Sequence, residues 1–220
     1  MKTAVVIGAS GLIGKSLVKK LLEDNRYNSV KVFVRRTINI SNLKLEEHIV
    51  DFDKITGWKS KITGDELYSA MGTTIKKAGS KEAQYKIDVT YQYEFAKAAA
   101  ENEIKSYFLV SSSGANVNSK LYYMKIKGEL EEKVKLLPFN KIRIFRPSLL
   151  VGERDEKRFG EKAAERLLKI VVSLFPFLKN QRPIEGEKVA RAMIASVNED
   201  NTERIKIFEP LEIFQLAEKV

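Results

Sequence analysis

Tyr123 and Lys127 carry the most consequential chemistry in this chain. Four residues apart in a helical pattern, they place a phenol and an ammonium on one helical face. A phenol titrates near pH 10, and an adjacent cation favours the phenolate by about 1.36 kcal/mol for each pKa unit lowered. Such a pair can hold or move a proton at a substrate oxygen. The same spacing also arises in ordinary helix packing, so its meaning depends on its neighbours. The adjacent frame, Tyr122 and Ile126, has no cation in its second position. Far upstream, Gly8-Ala9-Ser10-Gly11-Leu12-Ile13-Gly14 separates a short apolar run from a helical pattern. In a strand–turn–helix unit the first glycine permits a tight turn. The second admits a pyrophosphate to the backbone, and the third lets the helix pack on the strand. The helix N-terminus adds free N–H groups and partial positive charge for phosphate.

The next apolar run, Val30–Val34, ends at Arg35-Arg36, about 20 residues beyond Gly14, where a dinucleotide site reads the adenosine ribose. An acidic residue there accepts from a 2′-hydroxyl, whereas arginine pairs with a 2′-phosphate. These residues therefore predict NADP(H). Gly14-Lys15-Ser16 overlaps the glycine turn and resembles a relaxed P-loop, with Lys15 for phosphate and Ser16 for magnesium. The strict pattern needs glycine where Ala9 stands, and Gly8 is one residue too early.

Short apolar runs at Ala4–Ile7, Val30–Val34, His48–Phe52, Glu66–Met71, Tyr107–Ser111, Ile142–Phe145 and Ile205–Phe208 alternate with longer helical patterns. The helical stretches are Gly11–Glu23, Glu82–Ala100, Leu121–Leu136 and Glu187–Val197. This alternation, with strands apolar on both faces, predicts an α/β fold with a doubly wound, mostly parallel Rossmann sheet. The 220 residues, 44% hydrophobic and 31% charged, suit a single domain spanning 1–220, with 148–220 forming a small C-terminal substrate or cap region. No cysteine and one histidine, His48, exclude disulfide scaffolds, thiol catalysis and multi-histidine metal centres. The net charge of +10 comes from lysines scattered among glutamates, which suits a solvated surface and an anionic small molecule better than nucleic acid. Met1-Lys2-Thr3 runs directly into an apolar strand without a signal-peptide pattern. Leu167–Leu178 contains Lys169, Ser173 and Pro176 and is shorter than the roughly 20 residues a membrane span needs. It reads as a buried helix, and the chain as cytoplasmic.

With these blocks in order, the chain resembles an atypical short-chain dehydrogenase/reductase of the NAD(P)-binding Rossmann superfamily, particularly its Tat-interacting-protein-like branch. Further blocks carry the likeness: Val50-Asp51-Phe52, Met71-Gly72-Thr73-Thr74, Lys77-Ala78-Gly79, Ser111-Ser112-Ser113-Gly114-Ala115, and Phe145-Arg146-Pro147. The resemblance implies that Gly8, Ser10, Gly11, Leu12, Ile13, Gly14, Arg35 and Arg36 hold the cofactor. It places Asp51 and Phe52 beside the adenine, and Met71, Gly72 and Thr73 beneath the dinucleotide. Tyr123 would exchange the proton, Lys127 would lower its pKa and hold the nicotinamide ribose, and a serine would bind the reacting oxygen. Ser112 is the choice among Ser111, Ser112 and Ser113. Ser10, Asp88 and Asn116 could extend the site, although helix capping or solvent exposure is their default.

The expected function is NADP(H)-linked interconversion of a carbonyl and an alcohol on a small molecule. One alternative is a non-catalytic NADP(H)-sensing regulator with a protein partner. Another is a nucleoside-diphosphate-sugar epimerase, against which Arg35-Arg36 and the short C-terminal region argue.

Overall fold

The computed structural model describes residues 1–151, 182–199 and 202–219. Ala4, Val5, Val6 and Ile7 are fully buried, so β1 (Lys2–Ile7) has to be covered on both faces. The other strands are β2 (Tyr27–Val34), β3 (Leu45–Ile49), β4 (Glu66–Ser69), β5 (Ser106–Val110), β6 (Lys141–Phe145), β7 (Leu150–Val151), β8 (Ile184–Glu185) and β9 (Ile205–Phe208). Seven of them form one sheet in the order β3-β2-β1-β4-β5-β6-β9, with every pairing parallel. Strands β7 and β8 form a separate parallel pair.

The helices are α1 (Leu12–Glu23), α2 (Ile75–Ala78), α3 (Lys81–Tyr85), α4 (Tyr91–Glu101), α5 (Tyr122–Lys135), α6 (Gly186–Ala195) and α7 (Pro210–Ala217). Side chains alternate across the sheet. Ala4 and Val6 join a core with Leu17 of α1, Met193 of α6 and Leu216 of α7, whereas Val5 and Ile7 join Phe95 of α4 and Leu130 of α5. This is the doubly wound α/β architecture that the sequence predicts.

Two details differ from the sequence expectation. Strand β3 is Leu45–Ile49 rather than His48–Phe52. It is an edge strand whose Glu46, Glu47 and His48 interrupt the apolar pattern, and charged edges of this kind discourage pairing between molecules. The stretch Glu82–Ala100 is not one regular helix, because a π-helical turn, Lys86–Thr90, separates α3 from α4. The run Ile205–Phe208 and the helical pattern Glu187–Val197 form as expected: β9 extends the sheet, and α6 packs so closely on α1 that a Cβ on Gly186 would lie 2.8 Å from Leu12 Cγ. Leu167–Leu178 lies outside the described residues. Among the described residues no helix is long and apolar enough to cross a membrane.

Candidate dinucleotide and catalytic site

A parallel sheet brings the C-terminal ends of its strands to one edge, and the order reverses between β1 and β4 at its centre. The glycine turn lies at that reversal. Gly8 adopts φ +81°, and a Cβ there would sit 2.4 Å from the Ala70 carbonyl carbon after β4. Its carbonyl accepts the Gly11 N–H at 2.9 Å. Gly14 brings α1 against the turn, since a Cβ there would fall 2.1 Å from the Gly8 oxygen. Gly11 faces a more open space, with its nearest neighbours at 3.2 and 3.8 Å from an added Cβ. It also caps α1 without a side-chain hydrogen bond, and the first turn holds no acidic residue. Free N–H groups behind an open backbone cradle fit a dinucleotide pyrophosphate. Ser10 is exposed, Leu12 half-buried and Ile13 buried in the core. Lys15 is exposed on α1.

Helix α5 starts with Tyr122 and Tyr123. The Tyr122 hydroxyl donates to the Lys81 carbonyl at 2.6 Å, tying this end to α3. Tyr123 is half-buried, and Lys127 Nζ lies 5.8 Å from its ring centre, so the predicted pair shares one face. Lys127 is buried, and its ammonium meets Asp88 Oδ1 at 3.6 Å. Burial pushes the Lys127 pKa down. Asp88 foremost, then Tyr123 and Glu131, push it up, and the outcome lies above the ordinary lysine value. Asp88 is fully buried and caps no helix, which corrects its default reading. Its Oδ1 accepts the Thr73 N–H at 3.0 Å, and Oδ2 accepts Gln84 Nε2 at 3.1 Å. Gly72 and Thr73 therefore lie against the Lys127–Asp88 pair.

The three serines have different environments. Ser111 is buried and donates to Glu131 at 2.5 Å. Ser113 is buried, and its N–H donates to the Pro147 carbonyl at 3.0 Å. Ser112 is half-buried, and its hydroxyl makes a 3.4 Å contact to the Ser113 carbonyl among the described residues. It is the serine best able to offer its hydroxyl to a ligand. Gly128 lets α5 press against the loop that precedes it, for a Cβ would lie 2.4 Å from the Val117 nitrogen. Glu131, absent from the sequence reading, also receives Arg146 at 3.0 and 2.6 Å, and Arg146 reaches Glu209 at 3.0 Å. Tyr123, Lys127 and Glu131 follow one another at i, i+4 and i+8. That spacing was the available signal for Glu131.

Arg35 and Arg36 are exposed at the end of β2. Asp51 is exposed, and its carboxylate accepts the Asp53 N–H at 3.0 Å, capping a short 3-10 turn. Phe52 is buried against Trp58 and Tyr91, with ring centres 5.7 and 5.5 Å away. Trp58 Nε1 donates to the Asp51 carbonyl at 2.9 Å. Asn116 accepts the Asn118 N–H at 2.8 Å in a local turn.

A family model described as the NAD dependent epimerase/dehydratase family matches residues 4–208. The chain belongs to this family. It is therefore a member of the NAD(P)-binding Rossmann short-chain dehydrogenase/epimerase superfamily, and its reading as an NAD-dependent oxidoreductase or epimerase acting on a small molecule follows from that membership. Among curated relatives it is similar to "Protein FMP52, mitochondrial" of Eremothecium gossypii, 35% identical over 221 residues, covering 98% of this chain and 97% of the relative. Solved structures show the same fold. A short-chain dehydrogenase/reductase superfamily protein from Agrobacterium tumefaciens with bound NAD has TM-score 0.71 at 12% identity, covering 94% of this chain and 77% of that one. A UDP-glucose 4-epimerase from Thermotoga maritima has TM-score 0.69 at 14% identity, covering 99% and 82%.

Two expectations are overturned. NADP(H) gives way to NAD, because this family is NAD dependent and the structural neighbours described with a dinucleotide carry NAD. Residue type at the β2 end is no measure of where a guanidinium points, and both arginines stand exposed. The cytoplasmic expectation fails against eight fungal relatives that are all named mitochondrial. A strand near the N-terminus reports on the core and carries no compartment address.

Proposed function

We propose that this protein is an NAD-dependent enzyme of the epimerase/dehydratase type, acting at a hydroxyl-bearing carbon of a nucleotide-sugar-like molecule. The observation that carries the reading is the buried Lys127 ammonium beneath Gly72, on the same helical face as Tyr123 and against the loop after β4 whose Ala70 and Met71 meet Gly8 of the glycine turn. The Gly8–Gly14 turn and the Met71–Thr73 loop hold the dinucleotide, while Asp51 and Phe52 border its adenine end. Bound NAD supplies a hydride acceptor and, once reduced, a donor. Ser112 holds the substrate oxygen by its hydroxyl. Tyr123 takes the hydroxyl proton as the alcohol becomes a carbonyl and returns it in the reverse direction. Lys127 supports the phenolate electrostatically and offers its remaining protons to ribose hydroxyls.

The chain acts as a single domain, in a mitochondrial compartment like that of the relatives. The ordered blocks from Gly8 to Pro147 support the Tat-interacting-protein-like branch as the finer affiliation. One observation favours a simpler second reading, reversible alcohol–carbonyl redox without epimerisation: α6 and β9 are committed to the Rossmann core, which leaves a short segment for nucleotide-sugar recognition.

The test is a panel of UDP-sugars with NAD, followed by aldehydes and ketones with NADH. Epimerised or dehydrated UDP-sugar supports the first reading. Turnover of simple carbonyls alone supports the second. Tight NADH binding with no turnover in either panel refutes both and leaves a redox-sensing regulator.

A further inference from the structure

We infer that Asp88 is a positioning residue that pins the Lys127 ammonium and the Met71–Thr73 loop together, so that the floor of the dinucleotide site and the proton-transfer helix behave as one unit. The inference rests on the dinucleotide-site reading above.

Asp88 sits in the π-helical turn Lys86–Thr90 within an otherwise α-helical stretch. Such a turn interrupts the regular hydrogen-bond ladder, a cost that is frequently retained at functional sites. The carboxylate has no solvent exposure, and each oxygen is engaged. Oδ1 takes the Thr73 N–H and faces Lys127 Nζ, and Oδ2 takes Gln84 Nε2. Gln84 in turn donates to the Thr73 carbonyl at 3.1 Å, so both polar groups of the Thr73 backbone are held from this helix. Gln92 donates to the Asp88 carbonyl at 2.7 Å and accepts Ser69 Oγ at 2.7 Å, anchoring the π-turn to β4.

The pair is open in one direction. A Cβ on Gly72 would lie 3.3 Å from Asp88 Oδ1 and 3.7 Å from Lys127 Nζ. Glycine leaves that approach uncovered, and a side chain at 72 would stand over it. An ammonium has three donors. With one carboxylate at 3.6 Å, Lys127 keeps protons for hydroxyls arriving over Gly72 while its charge is balanced from below. A buried ion pair that only stabilised the fold would need no such opening, and an apolar pair of similar volume serves that purpose as well or better.

The ionisable groups around Lys127 are Asp88 from the π-turn, and Tyr123 and Glu131 from its own helix; Thr73 and Gln84 contribute neutral groups. Asp88→Asn keeps an acceptor for Thr73 but removes the nearest counter-charge. Burial then dominates, and Lys127 loses its proton at a lower pH than in the parent. The charged form is the donor, so NADH affinity in the variant should fall as pH rises.

NADH binding can be followed by energy transfer from Trp58, the single tryptophan, between about pH 6.5 and pH 9.5. The parent should be constant within about twofold, and Asp88→Asn should weaken about tenfold or more at the alkaline end. Lys127→Met should bind weakly at every pH, and adding Asp88→Asn to it should change nothing further. A variant-free measurement is hydrogen exchange, in which NADH should protect residues 71–75 and 86–90 together. A parent that binds NADH while Asp88→Asn binds it equally well with a flat profile overturns this inference alone, even if the variant melts earlier. Protection confined to one of the two segments also overturns it. A parent that binds no NADH overturns the dinucleotide-site reading and this inference with it.

Discussion

Substitutions at Gly11 and Gly14 should separate ligand binding from folding within one turn. At Gly14 an added Cβ lies 2.1, 2.7 and 2.9 Å from backbone atoms of Gly8 and Ala9. Carbon contacts are comfortable near 3.5–4.0 Å, so Gly14→Ala must push α1 away from the turn by about an ångström. Overpacking of this kind costs about 1–3 kcal/mol, and for a chain of this size each kcal/mol lowers Tm by about 2–4 °C. The expected drop is therefore about 2–12 °C. Gly11 differs: its φ of −80° and ψ of 173° are extended values that valine adopts readily. Its nearest Cβ neighbour lies at 3.2 Å, so the turn has to yield by only a few tenths of an ångström. The valine methyl groups then occupy the face that the pyrophosphate approaches. Losing one or two charge-assisted contacts, at about 1.5–3 kcal/mol each, weakens NADH by at least about tenfold and by up to about 10⁴-fold. Thermal melts and Trp58 energy transfer read the two effects separately. A Gly11→Val protein that binds NADH as well as the parent refutes the placement of the pyrophosphate. A Gly14→Ala protein with unchanged Tm refutes the packing argument.

Three further outcomes follow from the site. Tyr123→Phe should lower turnover of any accepted substrate about 10²–10⁴-fold while leaving NADH affinity nearly unchanged, as steady-state rates and titration will show. Arg146→Leu strands the buried Glu131 carboxylate with Ser111 as its remaining donor among the contacts described, which should cost about 3–5 kcal/mol, read by denaturant unfolding; replacing Glu131 by leucine as well should restore much of the loss. The double variant Arg35→Ala, Arg36→Ala should bind NAD within about threefold of the parent by calorimetry, since exposed charges contribute little; a loss beyond tenfold would show that these arginines hold the cofactor after all.

What was legible in the sequence depended on whether a local pattern fixes a local geometry. Glycines at 8, 11 and 14 between a strand and a helix leave few backbone solutions, and the turn formed as expected. Tyr123 and Lys127 needed only helical spacing to share a face. Strand β3 was misplaced because an edge strand buries one side at most and its charges hide the period. Asp88 looked like a cap because a lone helical carboxylate usually is one. Its burial depends on a π-turn, on a loop after β4 and on a lysine about forty residues away, and no local pattern encodes those three together. Arg35-Arg36 misled for the opposite reason. The residue type matched a rule, but the rule concerns the direction of a side chain at a strand end.

The position of β9 in the sheet bears on how the chain can be made. Strand β6 pairs with β5, which precedes it closely, and with β9, whose Ile205 pairs with Ile142. The Arg204 guanidinium, just before β9, donates to the carbonyls of Lys135, Leu137 and Phe139 and so closes the far end of the helix that bears Tyr123 and Lys127. During synthesis, then, β6 keeps an unpaired edge and that helix an unfinished end until residues 204–208 leave the ribosome. Long-range parallel pairing of this sort is slow, and an open edge is a template for other chains. A product terminated shortly before residue 204 should aggregate instead of retaining partial activity, and the full chain should depend on chaperones until its last strand docks.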